Sequence, residues 1–494
     1  MKANSFLSNM LILFAGTSLS QLLAIFAAPL LTRLYGPDAY GLMALFVSMT
    51  SIVSTISCMR YESSIILPDS DKAAANLLAG CLILSLVNCL LMMFLVYFGH
   101  HFLSKLLNAP SIEWYLWLVP FIALLDGAFN ALNYWNTRTK RFLRLSIARI
   151  NGSISSIAAQ LYAGFSGYAI GGSLIGGIAL GKAVSTGILG WQIWRDDQHL
   201  FRPSISRIKM VSELKRYIDF PLYDTWAELL NTVSWQLPVF LLSAFFSPAV
   251  VGYYSLGLSS LQLPMRLIGG SISQVFFQHA SEAKISGSLS SLVERVFRSL
   301  LLIGTFPVLT LTLMGKDLFA LVFGKTWSEA GIFSQILGFW ILFWFVSSPL
   351  STLYYLYERQ QSFLKLTIAN LFFRLIALCI GGYMGNARLS ILLFSLSGIC
   401  IYGYLCFAVM HIGGIEWQRT MHIILHSILV FIPSGVIILM LKVLAADQLI
   451  IVAVSALLCS IYYVYILKTN PDAKYVLNRM QIFDKLSNLR GNKN

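Results

Sequence analysis

The feature that most constrains the fold is the recurrence of apolar runs long enough to cross a lipid bilayer. A transmembrane helix needs about 20 mostly apolar residues, and such runs recur along most of the 494-residue chain. Only 11% of the residues are charged, against roughly 25% in soluble domains. We predict an all-α polytopic membrane protein whose fourteen or so transmembrane helices begin near residues 10, 39, 74, 112, 147, 168, 219, 249, 297, 331, 363, 388, 420 and 447.

Lysine and arginine are distributed unequally between the two sets of loops. One set, with the two termini, holds 26 of the 35 cations and the other set holds six, while three lie inside spans. Because basic loops are retained in the cytoplasm, both termini are expected there. The densest basic loop, RTKRFLR at 138–144, becomes a cytoplasmic hinge between spans 4 and 5, and we count Arg149 with it. Topology explains the net positive charge, so no nucleic-acid partner is expected.

Two pairs of segments repeat within the chain. LNYWNTRTKRFLRLSIA at 132–148 aligns with LYYLYERQQSFLKLTIA at 353–369 at an offset of 221, and GPDAYGLMAL at 36–45 aligns with SPAVVGYYSL at 247–256 at an offset of 211. Each pair lies on one side of the membrane, which indicates two parallel six-helix repeats around a shared cavity. The predicted division is an N-terminal lobe 1–194, a basic linker 195–217, a C-terminal lobe 218–411, two further helices in 412–467 and a cytoplasmic tail 468–494.

Three cations lie within predicted spans, where an ionised side chain costs about 2.5–3.5 kcal/mol or more. They are Lys182 in span 6, Arg266 in span 8 and Arg374 in span 11. We predict that they line an asymmetric, net-positive cavity suited to an anionic substrate. Alternatively, each cation pairs with a carboxylate of another span and only locks helices together. Small residues around Lys182 are expected to permit close helix approach.

The candidate carboxylates are Asp126, Asp224 and Glu228. Asp224 and Glu228 are four residues apart and share a helix face. Glu228 could pair with a cavity cation or bind a coupling ion, and it could equally be an interfacial residue in water. No cofactor is expected, so coupling to a proton or cation gradient is the candidate energy source.

Charges at the ends of two spans are candidates for gating the cavity mouths. They are Arg33, at the end of span 1, and Arg60 with Glu62, at the end of span 2. Topology or local ion pairing explains them equally well. His422 and His426 share a face of span 13 but lack a third ligand, so we predict no metal site. No P-loop, nucleophile elbow or HExxH motif occurs, so no catalytic residues and no enzyme activity are predicted.

Several segments resemble a family of membrane transporters. They are RLYGPDAYGLMAL at 33–45, RYESSIILP at 60–68, NYWNTRTKRF at 133–142, RYIDFPLY at 216–223 and GKDLFALVFGKTWSEAG at 315–331. These segments are similar to the polysaccharide-exporter branch of the MOP superfamily, the Wzx-type O-antigen and capsule flippases, which is related to the MATE transporters. The resemblance covers about residues 10 to 380, and the last spans match by hydropathy only.

The resemblance implies a flippase of the bacterial inner (plasma) membrane that takes part in lipopolysaccharide or related polysaccharide biosynthesis. Its expected substrate is an oligosaccharide on undecaprenyl pyrophosphate, moved from the cytoplasmic to the periplasmic leaflet by alternating access. Expected partners are that glycan, membrane lipid, a polysaccharide polymerase and a chain-length regulator. The alternatives are a MATE-like ion-coupled exporter of small molecules and a membrane-embedded polymerase or ligase. A polymerase or ligase would need a long periplasmic loop, whereas the longest predicted periplasmic loop here spans about residues 315–330.

Overall fold

Helices make up nearly all of the described chain. A computed structural model describes residues 3–263, 265, 270–444 and 447–469, and no strand occurs in those ranges. Ten helical segments of the described chain are long and apolar enough to cross a bilayer. The chain divides into two compact units, Met1–Gly252 and Tyr253–Asn494. We describe each unit by itself.

The first unit carries the spans of the N-terminal half. Its third helix turns large apolar side chains outward, with Leu90 and Phe94 each 60% exposed and Phe98 69% exposed. Such a surface is stable in hydrocarbon and not in water. The helices are α1 (Ala3–Leu34), α2 (Pro37–Ser57), α3 (Asp71–Leu106), α4 (Val119–Thr139), α5 (Phe142–Phe165), α6 (Gly171–Ser204), α7 (Arg207–Arg216), α8 (Thr225–Phe245) and α9 (Pro248–Leu261), the last of which continues past the boundary.

The second unit has its core between two long helices, where Gly315 and Gly331 pack on each other's carbonyl groups. Predicted span 8 corresponds to α9 and to the helix Gly270–Ser286 that follows it. Arg266 lies outside the described residues. The helices are α10 (Gly270–Ser286), α11 (Leu289–Val322), α12 (Ser328–Leu350), α13 (Leu353–Leu356), α14 (Gln360–Tyr383), α15 (Ala387–Ile412), α16 (Trp417–Val443) and α17 (Gln448–Thr469).

The predicted all-α fold of about fourteen spans is confirmed. Within the described chain, these ten strongly apolar segments are joined by α1, α5, α8 and the pair α9 and α10, which together correspond to predicted span 8, and this brings the number to fourteen. The lower apolarity of α5 and α8 has a physical reason, since their polar side chains line the cavities described below.

The repeat is visible in the backbone, with one change of register. α2 and α9 both begin at a proline, at the predicted offset of 211. α5 and α14 each have 24 residues and each follows a non-glycine residue with positive φ, Lys140 (58°) and Glu358 (55°). These flanking turns correspond at an offset of 218, three residues less than the sequence alignment. Arg359 therefore matches Arg141 rather than Arg138.

Small residues let helices of the first unit approach closely, as predicted for the helix of Lys182. A Cβ on Gly181 would clash with the carbonyl of Gly152, and a Cβ on Gly152 with the carbonyl of Gly181. Gly41 and Gly252 pack in the same reciprocal way on the carbonyls of Pro248 and Pro37. Glycine is required at these positions because the backbones themselves are in contact.

The basic segment 195–217 is helical for most of its length and packs against the rest of the first unit. It contains the last turns of α6 and all of α7. Leu214 packs on the hydrophobic core of the unit, and its carbonyl accepts a hydrogen bond of 3.0 Å from the Tyr61 hydroxyl. The first unit extends to Gly252 and includes α8, whereas the repeat places a lobe boundary near 195–217. The lobe boundaries stay a prediction.

The basic hinge after α4 is held by ion pairs. Arg138 donates to the Asp71 carboxylate at 2.9 Å and to the carbonyl of Pro68 at 2.6 Å. Arg144 is buried and pairs with Asp196 at 2.6 Å and with Asp197 at 3.1 Å. The hinge cations therefore fix the fold of the loop, and their predicted topological role stays a prediction.

Candidate functional site

A cavity of about 500 Å³ in the first unit gathers most of the predicted site residues. Its walls come from α2, α4, α6, α8 and the turn after α2. We call it the mixed-charge cavity, because five ionisable side chains line it: Arg60, Glu62, Asp126, Lys182 and Glu228. Sequence reasoning had singled out all five, although they come from four separate segments.

Lys182 pairs with Asp126 across the mixed-charge cavity. Its ammonium contacts Asp126 Oδ1, while the Ser54 hydroxyl donates to Oδ2 at 3.1 Å. The side chain of Lys182 is 43% exposed and that of Asp126 is 17% exposed. The pairing alternative left open by the sequence is therefore present, although a large part of the Lys182 side chain stays exposed.

Arg60 connects the turn after α2 to the start of α8. Its Nε donates to Asp224 Oδ2 at 2.9 Å, and its Nη1 lies 3.8 Å from Glu62 Oε1. Burial alone would lower the pKa of Arg60, but the hydrogen bond and charge of Asp224, with Glu62 and Glu228, raise it. Both Met59 and Arg60 have positive φ, 50° and 60°, a conformation that costs non-glycine residues energy and that clusters at functional sites.

Asp224 ends a short π-helical turn, Phe220–Asp224, which leads into α8. Such turns are often found at functional sites. The turn aims Asp224 at Arg60, while Glu228, one helical turn later, lines the mixed-charge cavity. The two carboxylates that share a helix face in the sequence therefore have different surroundings.

Glu62 is the most deeply buried ionisable group of this cavity. Its side chain is 7% exposed and lies in the turn between α2 and α3, outside the spans. Burial raises the pKa of Glu62 above its ordinary 4.5, a backbone hydrogen bond and Arg60 counteract this in part, and Asp224 raises it further. The folded protein therefore binds a proton at Glu62 more tightly than the unfolded chain does.

This pKa predicts how stability depends on pH. Between pH 4.5 and the raised pKa the folded state holds the proton that the unfolded state has lost, so the free energy of unfolding falls as pH rises. In Glu62→Gln this loss is absent, and the variant is expected to gain stability relative to wild type across that window. The measurement is the Tm of both proteins in detergent at a series of pH values. Glu416→Gln, at an exposed position of the second unit, is the control. A difference in Tm that does not change with pH would contradict the prediction.

A second cavity, of about 470 Å³, lies between α1, α5 and α6 of the same unit. Arg149 and Lys182 line it together with serines 20, 153, 156 and 185. We call it the cationic cavity, because these two cations are its only ionisable lining residues within the described chain. Lys182 lines both cavities.

Arg149 is the site residue that sequence reasoning missed. We counted it with the basic loop, but α5 begins at Phe142 and places Arg149 two turns inside the helix. A signal was available: Arg149, Gly152, Ser153 and Ser156 follow the spacing of one helix face. The serine-rich character of span 5 therefore marks a cavity wall.

The two cavities differ in formal charge. The mixed-charge cavity has two cations and three carboxylates, so its formal charge is negative when all are ionised. The cationic cavity has two positive charges among its described lining residues. The prediction that Lys182, Arg266 and Arg374 line one net-positive cavity stays a prediction, and Lys182 alone of the three lines these two cavities.

Two other predicted site residues lie elsewhere. Arg374 is buried in the second unit, 5.7 Å from the ring centroids of both Trp340 and Phe394, and it donates to the Tyr402 hydroxyl at 3.2 Å. Arg33 is exposed in the last turn of α1. Their predicted roles, as a cavity cation and as a gate, stay predictions.

The apolar spans, with ionisable side chains in cavities between them, define a class of protein, the multi-span membrane protein. The pattern of the polysaccharide biosynthesis protein family matches residues 30–332, more than half of the chain. The chain belongs to this family. No curated protein sequence matches the chain.

Solved structures share the fold at low sequence identity. The lipid II flippase MurJ in an inward closed conformation superposes with a TM-score of 0.69 and 14% identity, over 92% of this chain and 99% of that chain. An inward-facing multidrug resistance MATE family transporter of the MOP superfamily gives a TM-score of 0.55 and 16% identity, over 81% of this chain and 96% of that chain. At these identities the likeness establishes the fold alone, and that fold is of the MOP type.

Proposed function

We propose that the protein is a flippase for undecaprenyl-pyrophosphate-linked oligosaccharide units of O-antigen or a related surface polysaccharide. It would move them from the cytoplasmic to the periplasmic leaflet of the bacterial inner membrane by alternating access. Both termini would then be cytoplasmic, as the basic loops predict. A polysaccharide polymerase and a chain-length regulator would act on the product.

The cationic cavity is the observation that carries this proposal. A pyrophosphate must lose much of its hydration to cross hydrocarbon, and fixed cations compensate for that loss. Arg149 supplies a planar fork of donors suited to phosphate oxygens, and Lys182 supplies a second charge on the same wall. The family match to polysaccharide biosynthesis supports a glycan as the transported group.

Lys182 lines both cavities, and this suggests how it takes part in transport. In one cavity its ammonium is neutralised by Asp126, and in the other it shares a wall with Arg149. A pyrophosphate would compete with Asp126 for the ammonium, and a proton or cation would then neutralise the released carboxylate. We place Glu228 and Glu62 with Asp126 as coupling candidates, Arg60, Asp224 and Arg33 as gating candidates, and Arg266 and Arg374 as further cavity cations.

One observation favours a second candidate, a MATE-like exporter of cationic small molecules. The mixed-charge cavity has more carboxylates than cations, and carboxylates suit a positively charged substrate. The cationic cavity argues against this candidate, since Arg149 and Lys182 would repel such a substrate.

The proposal is tested in a strain that lacks the gene, complemented with wild type, Arg149→Ala or Lys182→Ala. Surface polysaccharide is quantified, and the leaflet that holds undecaprenyl-linked units is determined with a membrane-impermeant glycan-modifying reagent on spheroplasts. We expect loss of surface polymer and accumulation of single units facing the cytoplasm. Arg388→Ala, which removes an exposed arginine paired with Glu329 in the second unit, is the matched control.

Other outcomes would contradict the proposal. Units that accumulate on the periplasmic side would indicate a polymerase or ligase acting after translocation. Normal surface polymer in the deletion strain, with greater sensitivity to cationic compounds, would favour the exporter. Full activity of both variants would exclude the cationic cavity as the pyrophosphate site.

A further inference from the structure

A third cavity, of about 200 Å³, lies in the second unit beside the first turns of α16 and the facing part of α11. Its lining residues are Arg298, Leu302, Arg419, His422, Ile423 and His426. Every polar lining residue is thus an arginine or a histidine. The transport proposal above uses none of them.

Two arginines of this cavity are held in place by one carboxylate. Glu294 Oε1 accepts from Arg298 Nη2 at 2.6 Å and from Arg419 Nη2 at 2.7 Å and Nε at 3.0 Å. One negative charge therefore orients two guanidinium groups and leaves the group of three with a net positive charge. Arg419 is also in the first turn of α16, where the helix dipole adds positive potential.

The two histidines form the second wall. His422 and His426 stack with parallel rings, 6.2 Å between centroids and 3° between planes, and both are exposed. Each ring can supply an N–H donor to a ligand. Within the described chain no group of three metal-ligating residues exists, so the pair does not form a metal site with protein ligands alone.

The remaining lining residues and the outer surface of α16 are apolar. Leu302 and Ile423 are 6% and 3% exposed. On the same helix Met421, Leu425 and Leu429 are 46%, 52% and 58% exposed, as expected for a helix in contact with lipid tails. The cavity therefore adjoins a lipid-facing surface.

We propose that this cavity binds the phosphate group of an anionic phospholipid. Its volume of about 200 Å³ is less than half that of either cavity of the first unit, which suits a phosphate headgroup and not an oligosaccharide. Arg298 and Arg419 provide charge-assisted hydrogen bonds to phosphate oxygens, the imidazoles complete the donor set, and the acyl chains lie along α16. The site would anchor α16 against α11 in membranes that contain anionic lipid.

The test uses the full-length protein in phosphatidylcholine nanodiscs with and without phosphatidylglycerol. Lipid affinity is measured by native mass spectrometry and by the rise in Tm. We expect phosphatidylglycerol to raise the Tm of wild type, and Arg298→Gln with Arg419→Gln to weaken binding at least about tenfold, the effect of losing one charge-assisted hydrogen bond. His422→Gln with His426→Gln, which leaves the Glu294 network intact, is expected to weaken binding in the same direction.

Arg388→Gln is the matched control, because Arg388 also pairs with a glutamate in this unit, Glu329, at 2.6 Å. It is expected to leave lipid binding unchanged. An equal Tm rise on adding inorganic phosphate without phosphatidylglycerol would overturn the lipid assignment. Unchanged phosphatidylglycerol binding in both double variants would overturn the site.

Discussion

Transport by the Lys182→Ala variant is expected to fall at least about tenfold while the protein remains folded. A charge-assisted hydrogen bond is worth about 1.5–3 kcal/mol, or about ten- to hundredfold in a rate or an equilibrium. Lys182 lines both cavities of the first unit, so its loss affects the binding of an anion and the neutralisation of Asp126 together. Lys182→Arg keeps the charge and should retain part of the activity. The measurement is export of surface polysaccharide at matched protein levels.

A double variant separates a transport role from a structural one. If the Lys182–Asp126 pair only locks α6 to α4, replacing both by apolar residues should restore function, because removing both partners leaves no unpaired charge between the helices. If the ammonium binds substrate, Lys182→Met with Asp126→Leu should be as inactive as Lys182→Ala although its Tm recovers. Recovery of export in the double variant would contradict the proposed role of Lys182.

The fold was largely predictable because bilayer-spanning helices leave a strong signal in sequence. The apolar runs gave the spans, and Pro37 with Pro248 gave the correct offset for one pair of repeats. The other pair was aligned three residues away from the backbone correspondence. We aligned LNYWNTRTKRFLRLSIA with LYYLYERQQSFLKLTIA by side-chain similarity. The positive-φ turns that fix the backbone correspondence cannot be identified from the sequence.

Most ionisable residues of the candidate site could be named from the sequence, but not which of them lie together in one cavity. Arg60, Glu62, Asp126, Lys182 and Glu228 could be named because ionisable groups in or near spans are rare and need a reason. Their convergence in one cavity depends on how four segments pack, which hydropathy does not encode. Arg149 was missed because the start of α5 was placed too late, at a boundary where basic residues obscure the onset of the helix.

The basic hinge shows a further limit of reasoning from charge alone. We interpreted RTKRFLR as a topology signal, and no feature of the sequence indicated which acids it would contact. Asp197, at the far end of α6, accepts from Arg144 Nη1 at 3.1 Å and from the Trp135 indole at 3.0 Å. All three residues are buried, with 6%, 8% and 1% exposed. The ends of α4, α5 and α6 are therefore joined at one carboxylate.

Asp197→Ala is expected to be the most destabilising single substitution at this hinge, by about 1–3 kcal/mol, because the buried Arg144 guanidinium loses one of its two carboxylate partners and the buried Trp135 indole loses its acceptor. Asp196→Ala should cost less, since Asp196 is 28% exposed and Asp197 would still pair with Arg144. Trp135→Phe, which removes one hydrogen bond, should cost about 1 kcal/mol. The measurement is unfolding of each purified variant by denaturant in detergent.

Equal losses of stability for Asp196→Ala and Asp197→Ala would show that the arginine, and not the buried carboxylate, determines the stability of the hinge. Asp197→Ala with wild-type stability would mean that Asp196 alone neutralises Arg144, and the cations of the loop would then act in topology only.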